Sequence, residues 1–380
     1  MTTNENEIDS FDFFNLKDKL LRGIYAYGFE CPSIIQQQSI PHILNRCDLI
    51  AQAPSGTGKT GSFTIGILQM IDETKKQVQA ILVAPTRELA FQINSVLLSI
   101  GSYMGINTCL AIGGIHISDN LRELKTSHVI VGTPGRICEL INKDAFDLRN
   151  IKILTMDEAD ELLRDDFVNQ IKKIIQRIPQ NTQICLYSAT LPHDLIDITK
   201  KFMNDPVQIL VEPEKLSLEG IKQYYVDVMQ EQYKFDTVID LYKSLKVSQS
   251  IIFVNTIDKC IYLHDELTKN NHTVSMIHGH LTPLERNDVM KQFRLGTCRI
   301  LIATDILARG IDVQQVNMVI NYDLPLKNDS YLHRIGRSGR YGRKGTAINL
   351  IIDKTKRHLN EIARLYDVDI EPLPSDLNNI

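Results

Sequence analysis

The run Ala53-Pro54-Ser55-Gly56-Thr57-Gly58-Lys59-Thr60 constrains this chain more than any other eight residues. A short apolar run precedes it and a helical pattern follows, so the backbone passes from a strand through a glycine turn into a helix. Glycines let backbone N–H groups turn toward phosphate oxygens, and the helix start adds the positive end of its dipole. In that setting Ser55, Gly56, Thr57 and Gly58 would cradle phosphates. Lys59 would reach the β- and γ-phosphates of ATP, and Thr60 would hold Mg²⁺. The general pattern begins with glycine, whereas Ala53 stands there. Taken alone, the run also reads as a glycine-rich turn with no ligand.

The surrounding grammar repeats. Short β-branched runs alternate with helical patterns in both halves. Strands are expected at 48–51, 80–84, 108–111, 129–131, 151–156 and 183–187, then at 250–254, 274–277, 300–303, 318–321 and 347–351. Helices are expected between them, for example over 87–99 and 283–293. Strands alternating with helices predict parallel sheets covered on both faces. The polar segment 211–220 carries a proline and ends in glycine, which marks a linker. The expected organisation is a mobile tail over 1–10, an α/β domain over 11–210, the linker, and a second α/β domain over 221–380.

Composition narrows the partners. Lys and Arg total 42 against 46 Asp and Glu, a net charge of −4. Bulk charge cannot hold nucleic acid here, so any such binding needs a local groove. No apolar stretch reaches the roughly 18 residues of a membrane span. The seven cysteines form no C-x-x-C pair, and the N-terminus is polar and acidic rather than signal-like. A reduced intracellular protein without a zinc site is expected.

Three further clusters carry chemistry. Asp157-Glu158-Ala159-Asp160 follows an apolar strand, where open parallel sheets bind ligands. Asp157 could hold a metal through water, and Glu158 could orient or deprotonate a water; an acidic helix start is the plainer alternative. Ser188-Ala189-Thr190 ends another strand and, alone, reads more readily as a helix cap. His333 to Arg340 (HRIGRSGR) spaces arginines three apart between glycines. Planar, always charged guanidinium groups suit a γ-phosphate. The first half thus offers a phosphate loop and acids, and the second offers arginines, as in a finger-type ATP site within one chain.

At this point the motifs resemble a family, the DEAD-box ATP-dependent RNA helicases, and within it the initiation factor 4A branch. The resemblance covers about residues 11–375. Its motifs occur in the family's order: Phe11 with 28–36 (GFECPSIIQ), 53–60, Pro85-Thr86-Arg87, Gly113-Gly114, Thr133-Pro134-Gly135-Arg136, DEAD at 157–160, SAT at 188–190, Phe253-Val254-Asn255, Thr304-Asp305, ARGID at 308–312 and HRIGRSGR. It implies two tandem RecA-like parallel-sheet domains and RNA-stimulated hydrolysis of ATP with Mg²⁺. Gln36 would read adenine with Phe11 stacked on the ring. Lys59, Asp157, Glu158, Arg337 and Arg340 would be catalytic, with Thr60 and Asp157 holding the metal. Asp312 would contact ATP, and Asp160, Ser188 and Thr190 would couple ATP to RNA. RNA backbone would lie on Pro85, Thr86, Arg87, Gly114, Thr133, Arg136, Gly279, Arg286 and Thr304, with little sequence preference.

The resemblance further implies a monomer that clamps single-stranded RNA on closing and locally opens short duplexes. A scaffold protein favours that closure, and no membrane is involved. Cytoplasmic translation initiation is expected. The alternative is an ATP-locked RNA clamp in a nuclear mRNA or rRNA-processing assembly. One stretch departs from the family: His280 and Pro283 replace an acid and a glutamine. Proline suits the first turn of a helix, so the fold should tolerate it.

Overall fold

Ala80–Val83 is apolar at every position and buried at every position, as a strand covered on both faces must be. It lies in the interior of a seven-stranded sheet. The strands are β1 (Leu49–Gln52), β2 (Ala80–Val83), β3 (Thr108–Ala111), β4 (Val129–Gly132), β5 (Ile153–Asp157), β6 (Gln183–Ser188) and β7 (Val207–Leu210). Their order is β3-β4-β2-β5-β6-β1-β7, and every pairing is parallel. Alternate residues feed two separate cores. Leu49, Ala80 and Leu82 join the cluster on one face, and Ile50, Ile81 and Val83 join that on the other.

A second sheet contains β8 (Ile221–Asp227), β9 (Gln249–Phe253), β10 (Val274–Ile277), β11 (Ile300–Ala303), β12 (Val316–Asn321), β13 (Gly345–Ile351) and β14 (Glu371–Pro372). Its order is β10-β11-β9-β12-β13-β8-β14, again parallel throughout. Counted from its own first strand, each sheet reads 3-4-2-5-6-1-7. The chain accordingly divides into two units, Met1–Val211 and Glu212–Ile380.

This computed structural model describes residues 10–54, 56–191, 193–210, 221–245, 247–305, 316–338 and 345–374. The expected linker at 211–220, nine residues of the expected tail, Ser55, Asp312 and Arg340 lie outside the described residues.

The helices show why these residues fold as they do. Arg87–Ile100 buries Leu89, Ala90, Ile93, Leu97 and Ile100, the one-sided spacing of a helix laid on a sheet. The Thr86 hydroxyl caps it by accepting from the Leu89 N–H at 3.2 Å. Pro283–Arg294 begins with Thr282 and Glu285 capping each other reciprocally. Expected and observed strands agree to within two residues at their ends. Three strands were not expected: β7, β8 and β14. β14 has two residues, and β7 (VQIL) and β8 (IKQYYVD) are interrupted by polar residues, so none has a sustained apolar run.

The second sheet is held by a buried polar ladder. Asn321 Nδ2 donates to Asn349 Oδ1 at 2.8 Å, and Asn349 Nδ2 donates to the Tyr224 carbonyl at 3.0 Å. The Tyr331 hydroxyl donates to Gln223 Oε1 at 2.9 Å. Amides buried this way are tolerated only when partnered.

Candidate functional site: a phosphate loop with buried acids

The loop after β1 takes the form that its glycines permit. Gly56 and Gly58 have φ of 86° and 102°, the left-handed region that side chains rarely adopt. Helix Lys59–Met70 starts directly after Gly58, which points its first N–H groups at the loop. The Lys59 ammonium is buried and donates to the Ala53 carbonyl at 2.7 Å. Thr57 Oγ1 donates to the Pro54 carbonyl at 2.9 Å. Thr60 sits at the second position of the helix, partly exposed.

Gln36 braces this loop. It accepts from the Ser33 N–H at 2.9 Å and donates to the Gly58 carbonyl at 3.2 Å. A primary amide has a further N–H and a further lone pair, so one donor and one acceptor stay available for a base edge. Phe11 lies elsewhere than expected. It has no exposed surface, and its ring is covered by Phe14, Tyr25 and Phe29. Phe29, stacked on it at 6.2 Å, keeps exposed surface and faces the helix start. A Cβ added at Gly61 would come within 2.8 Å of Phe29 and 2.6 Å of Gln36. Phe29 is therefore the ring beside the loop, and Phe11 backs it. Phe29 stood within the 28–36 motif, but the sequence did not indicate which aromatic had the open face.

The acids emerge from the end of β5. Asp157 is buried and accepts from the Glu158 N–H at 3.0 Å. Burial first, and Glu158 second, push its carboxyl up to about 7, with Lys59 pulling the other way. Glu158 adopts φ 54° and ψ 52°. Left-handed backbone at a non-glycine residue costs of order 1–3 kcal/mol and collects at functional sites. Asp160 joins β5 to β6: Ser188 Oγ donates to one of its oxygens at 2.7 Å, and Thr190 Oγ1 donates to the other at 2.9 Å. The three residues expected to couple are thus brought together.

The other motif residues of the first unit serve mainly as local structure. Arg87 lays its guanidinium against Gly113, where an added Cβ would come within 2.5 Å. Gly114 has φ 95°. Arg136 is taken inward: it donates to the Ile115 carbonyl at 2.7 Å and Asn120 Oδ1 at 2.8 Å, and pairs with Glu139 at 3.0 Å. Thr133 stands at the N-cap position of the helix Pro134–Asn142 without a side-chain capping bond, and Pro134 takes the first helical position. Asn120, fully buried and holding the Leu110 carbonyl at 3.0 Å, is a brace that the sequence did not mark.

In the second unit Arg286 closes its own loop, donating to the carbonyls of Leu281 at 3.1 Å and Gly279 at 3.0 Å. Thr304 is buried just past β11. Arg337 Nε donates to the His333 carbonyl at 2.9 Å. Arg334, fully buried, holds Asn255 Oδ1 at 2.8 Å, the Asp323 carbonyl at 2.6 Å and the Asp305 carboxylate. It ties three sequence-distant motifs into one frame, a role that no local pattern signals.

A phosphate loop after the first strand, acids after the fifth and a second sheet of the same order define a tandem RecA-like nucleoside triphosphatase. Residues 33–198 match the DEAD/DEAH box helicase family, and residues 233–342 match the helicase conserved C-terminal domain. The chain belongs to the DEAD-box family of ATP-dependent RNA helicases. It is 49% identical over 377 residues, 99% of this chain and 95% of the relative, to the ATP-dependent RNA helicase eIF4A of Scheffersomyces stipitis. Its counterpart in Candida albicans is 48% identical over the same shares. Among solved structures, S. cerevisiae Dbp5 bound to RNA and ADP BeF3 is 36% identical with a TM-score of 0.90, covering 97% of this chain and 96% of that one.

Proposed function

We propose that the chain clamps single-stranded RNA, hydrolyses ATP in response, and locally opens short duplexes during translation initiation. The observation that carries this is the Asp160–Ser188–Thr190 bridge. It joins the acids that face nucleotide to the end of the next strand, so a change at one is felt at the other. Phosphates would rest on the loop N–H groups and Lys59. Glu158 would orient the attacking water and take its proton. Gln36 and Phe29 would select the adenine. Arg337 and Arg340 would supply positive charge as the γ-phosphate departs.

The donor set suits Mg²⁺. Asp157 is a buried carboxylate crowded by Glu158, and a hard divalent cation with oxygen ligands is what such crowding accommodates. Thr60 and Asp157 would hold it, and it would neutralise charge on the β- and γ-phosphate oxygens. RNA phosphates would lie on Pro85, Thr86, Arg87, Gly114, Thr133 and the N–H of Arg136, and on Gly279, Arg286 and Thr304. ATP and RNA would each raise affinity for the other. The eIF4A name of the relatives fits a cytoplasmic role; the proposal adds a monomer whose closure a scaffold protein favours. Among the described residues no helix is long and apolar enough to cross a membrane.

The test is the steady-state ATPase rate without nucleic acid, with single-stranded RNA and with single-stranded DNA. Stimulation by RNA alone, abolished by Glu158→Gln, is expected. Equal stimulation by DNA, or none by either, would overturn the proposal.

A further inference from the structure

We infer that the first unit carries a second anion site, for a diphosphate or longer polyphosphate group, at the end of its sheet opposite the phosphate loop. A cavity of about 260 Å³ lies at the N-terminal ends of the central strands. Arg46, Lys75, Arg149 and Lys152 line it, together with Gln79 and Gln183, and no acid does. β5 separates it from Asp157. Five residues at roughly 3.3 Å each put about 16 Å between the two ends.

The cations are incompletely neutralised. Lys75 pairs with Asp72 at 3.3 Å and Arg149 with Asp147 at 2.8 Å. Among the described residues no carboxylate pairs with Arg46 or Lys152. The Lys152 ammonium donates to the Met70 carbonyl at 3.0 Å. Burial holds Lys152 below its usual value; Asp72 pulls it back up, while Arg46, Lys75 and Lys17 press it further down. An anion placed among these groups would relieve both effects.

A buried polar group marks the same place. Gln183 is 4% exposed, and its amide N–H groups go to the Ile43 carbonyl at 3.3 Å and the Cys47 carbonyl at 2.5 Å. Its Oε1 has no partner. Gln183 lines the cavity as an uncharged polar wall; its enclosed oxygen is an acceptor and would take a bridging water, not the anion itself. The cavity is too small for a folded partner, and its two cations without a carboxylate, Arg46 and Lys152, flanked by the ion-paired Lys75 and Arg149, exceed what one singly charged ion would need. Two linked phosphates match both its size and its charge.

Equilibrium dialysis of the full chain with labelled inorganic pyrophosphate, in metal-free buffer, tests this. The wild type should bind two equivalents. Lys59→Ala should remove one, and Arg46→Gln with Lys152→Met should remove the other. Arg46→Gln alone, an exposed position that leaves the core intact, should weaken the second site about tenfold. Added salt should weaken it further. In the Lys59→Ala chain, displacement by ADP would assign the site to a nucleotide's diphosphate. Failure of ADP to displace would assign it to free inorganic polyphosphate. A single equivalent lost entirely with Lys59→Ala would overturn the inference. So would a second equivalent that survives the double substitution, or a double variant that loses RNA binding with pyrophosphate stoichiometry unchanged.

Discussion

Two regions of this molecule share one strand order and diverge at two corresponding places. After the first strand of the first unit comes the glycine loop that ends at Lys59. After β8, the first strand of the second, comes Val228-Met229-Gln230 and a tight turn at Glu231–Tyr233, with no glycine. Glu231 pairs there with Lys234 at 3.0 Å and Lys259 at 2.6 Å. An acid stands where the first unit keeps a cation near phosphate.

The fifth strands diverge in the same sense. Asp157, at the end of β5, is pushed up by burial and by Glu158. Asp323, just past β12, is also buried, which alone would raise it. Lys259 at 2.7 Å, the Asn255 N–H at 3.0 Å and Lys234 at 3.2 Å instead hold it below the usual carboxylate range. One topology thus supports a charge left underpaired for a ligand and a charge consumed by structure. Topology sets where an acid emerges, and its neighbours decide whether it remains available.

Substituting the paired positions should break this contrast. Asp157→Asn should lower kcat for ATP on the order of 10²–10³-fold, a barrier raised by about 3–4 kcal/mol. The melting temperature should hold or rise, because a crowded buried charge is removed. Asp323→Ala should do the reverse: it strands Lys234 and should cost about 3 kcal/mol in urea unfolding, with the m-value unchanged. A neutral effect at 323 would mean that the lysine cluster is as dispensable as a surface pair.

Smaller changes sharpen the comparison. Gly61→Ala drives a Cβ against Gln36 and Phe29, and should raise KM for ATP about tenfold through roughly 1–2 kcal/mol of overpacking. Unfolding by urea should shift little. Tyr331→Phe removes one donor from the ladder of the second sheet. It should cost about 1 kcal/mol of unfolding free energy and leave the ATP KM unchanged.

The sequence made the strand–loop–helix units legible because their signals are local. Gly56 and Gly58 sit where the loop turns to positive φ, an apolar run sits between two covered faces, and Thr86 and Thr282 precede their helices. Sheet order is not local. The edge strands β7 and β14 gain their pairing from neighbours distant in sequence, so their own residues need little apolar character. The division of labour among aromatics was equally hidden. Phe11 and Phe29 belong to one motif, and only packing settles that Phe11 is enclosed while Phe29 is accessible. Arg136 and Arg334 show the same limit: an arginine in a motif can serve a carbonyl within the protein, and its partners lie far along the chain.

The paired amides of the second sheet have a consequence for how the chain is made. Two sheets of one design, synthesised one after the other, invite each strand to enter the wrong copy. β5 and β6 could sit geometrically where β12 and β13 belong. They carry no asparagine at the matching register, however, and would leave Asn321 or Asn349 without its partner. Each stranded amide costs roughly 1–3 kcal/mol, enough to reject most misassembled nascent chains before the sheet closes. Only the native pairing of β12 with β13 satisfies both amides of the Asn321–Asn349 rung, which favours these strands in their own sheet.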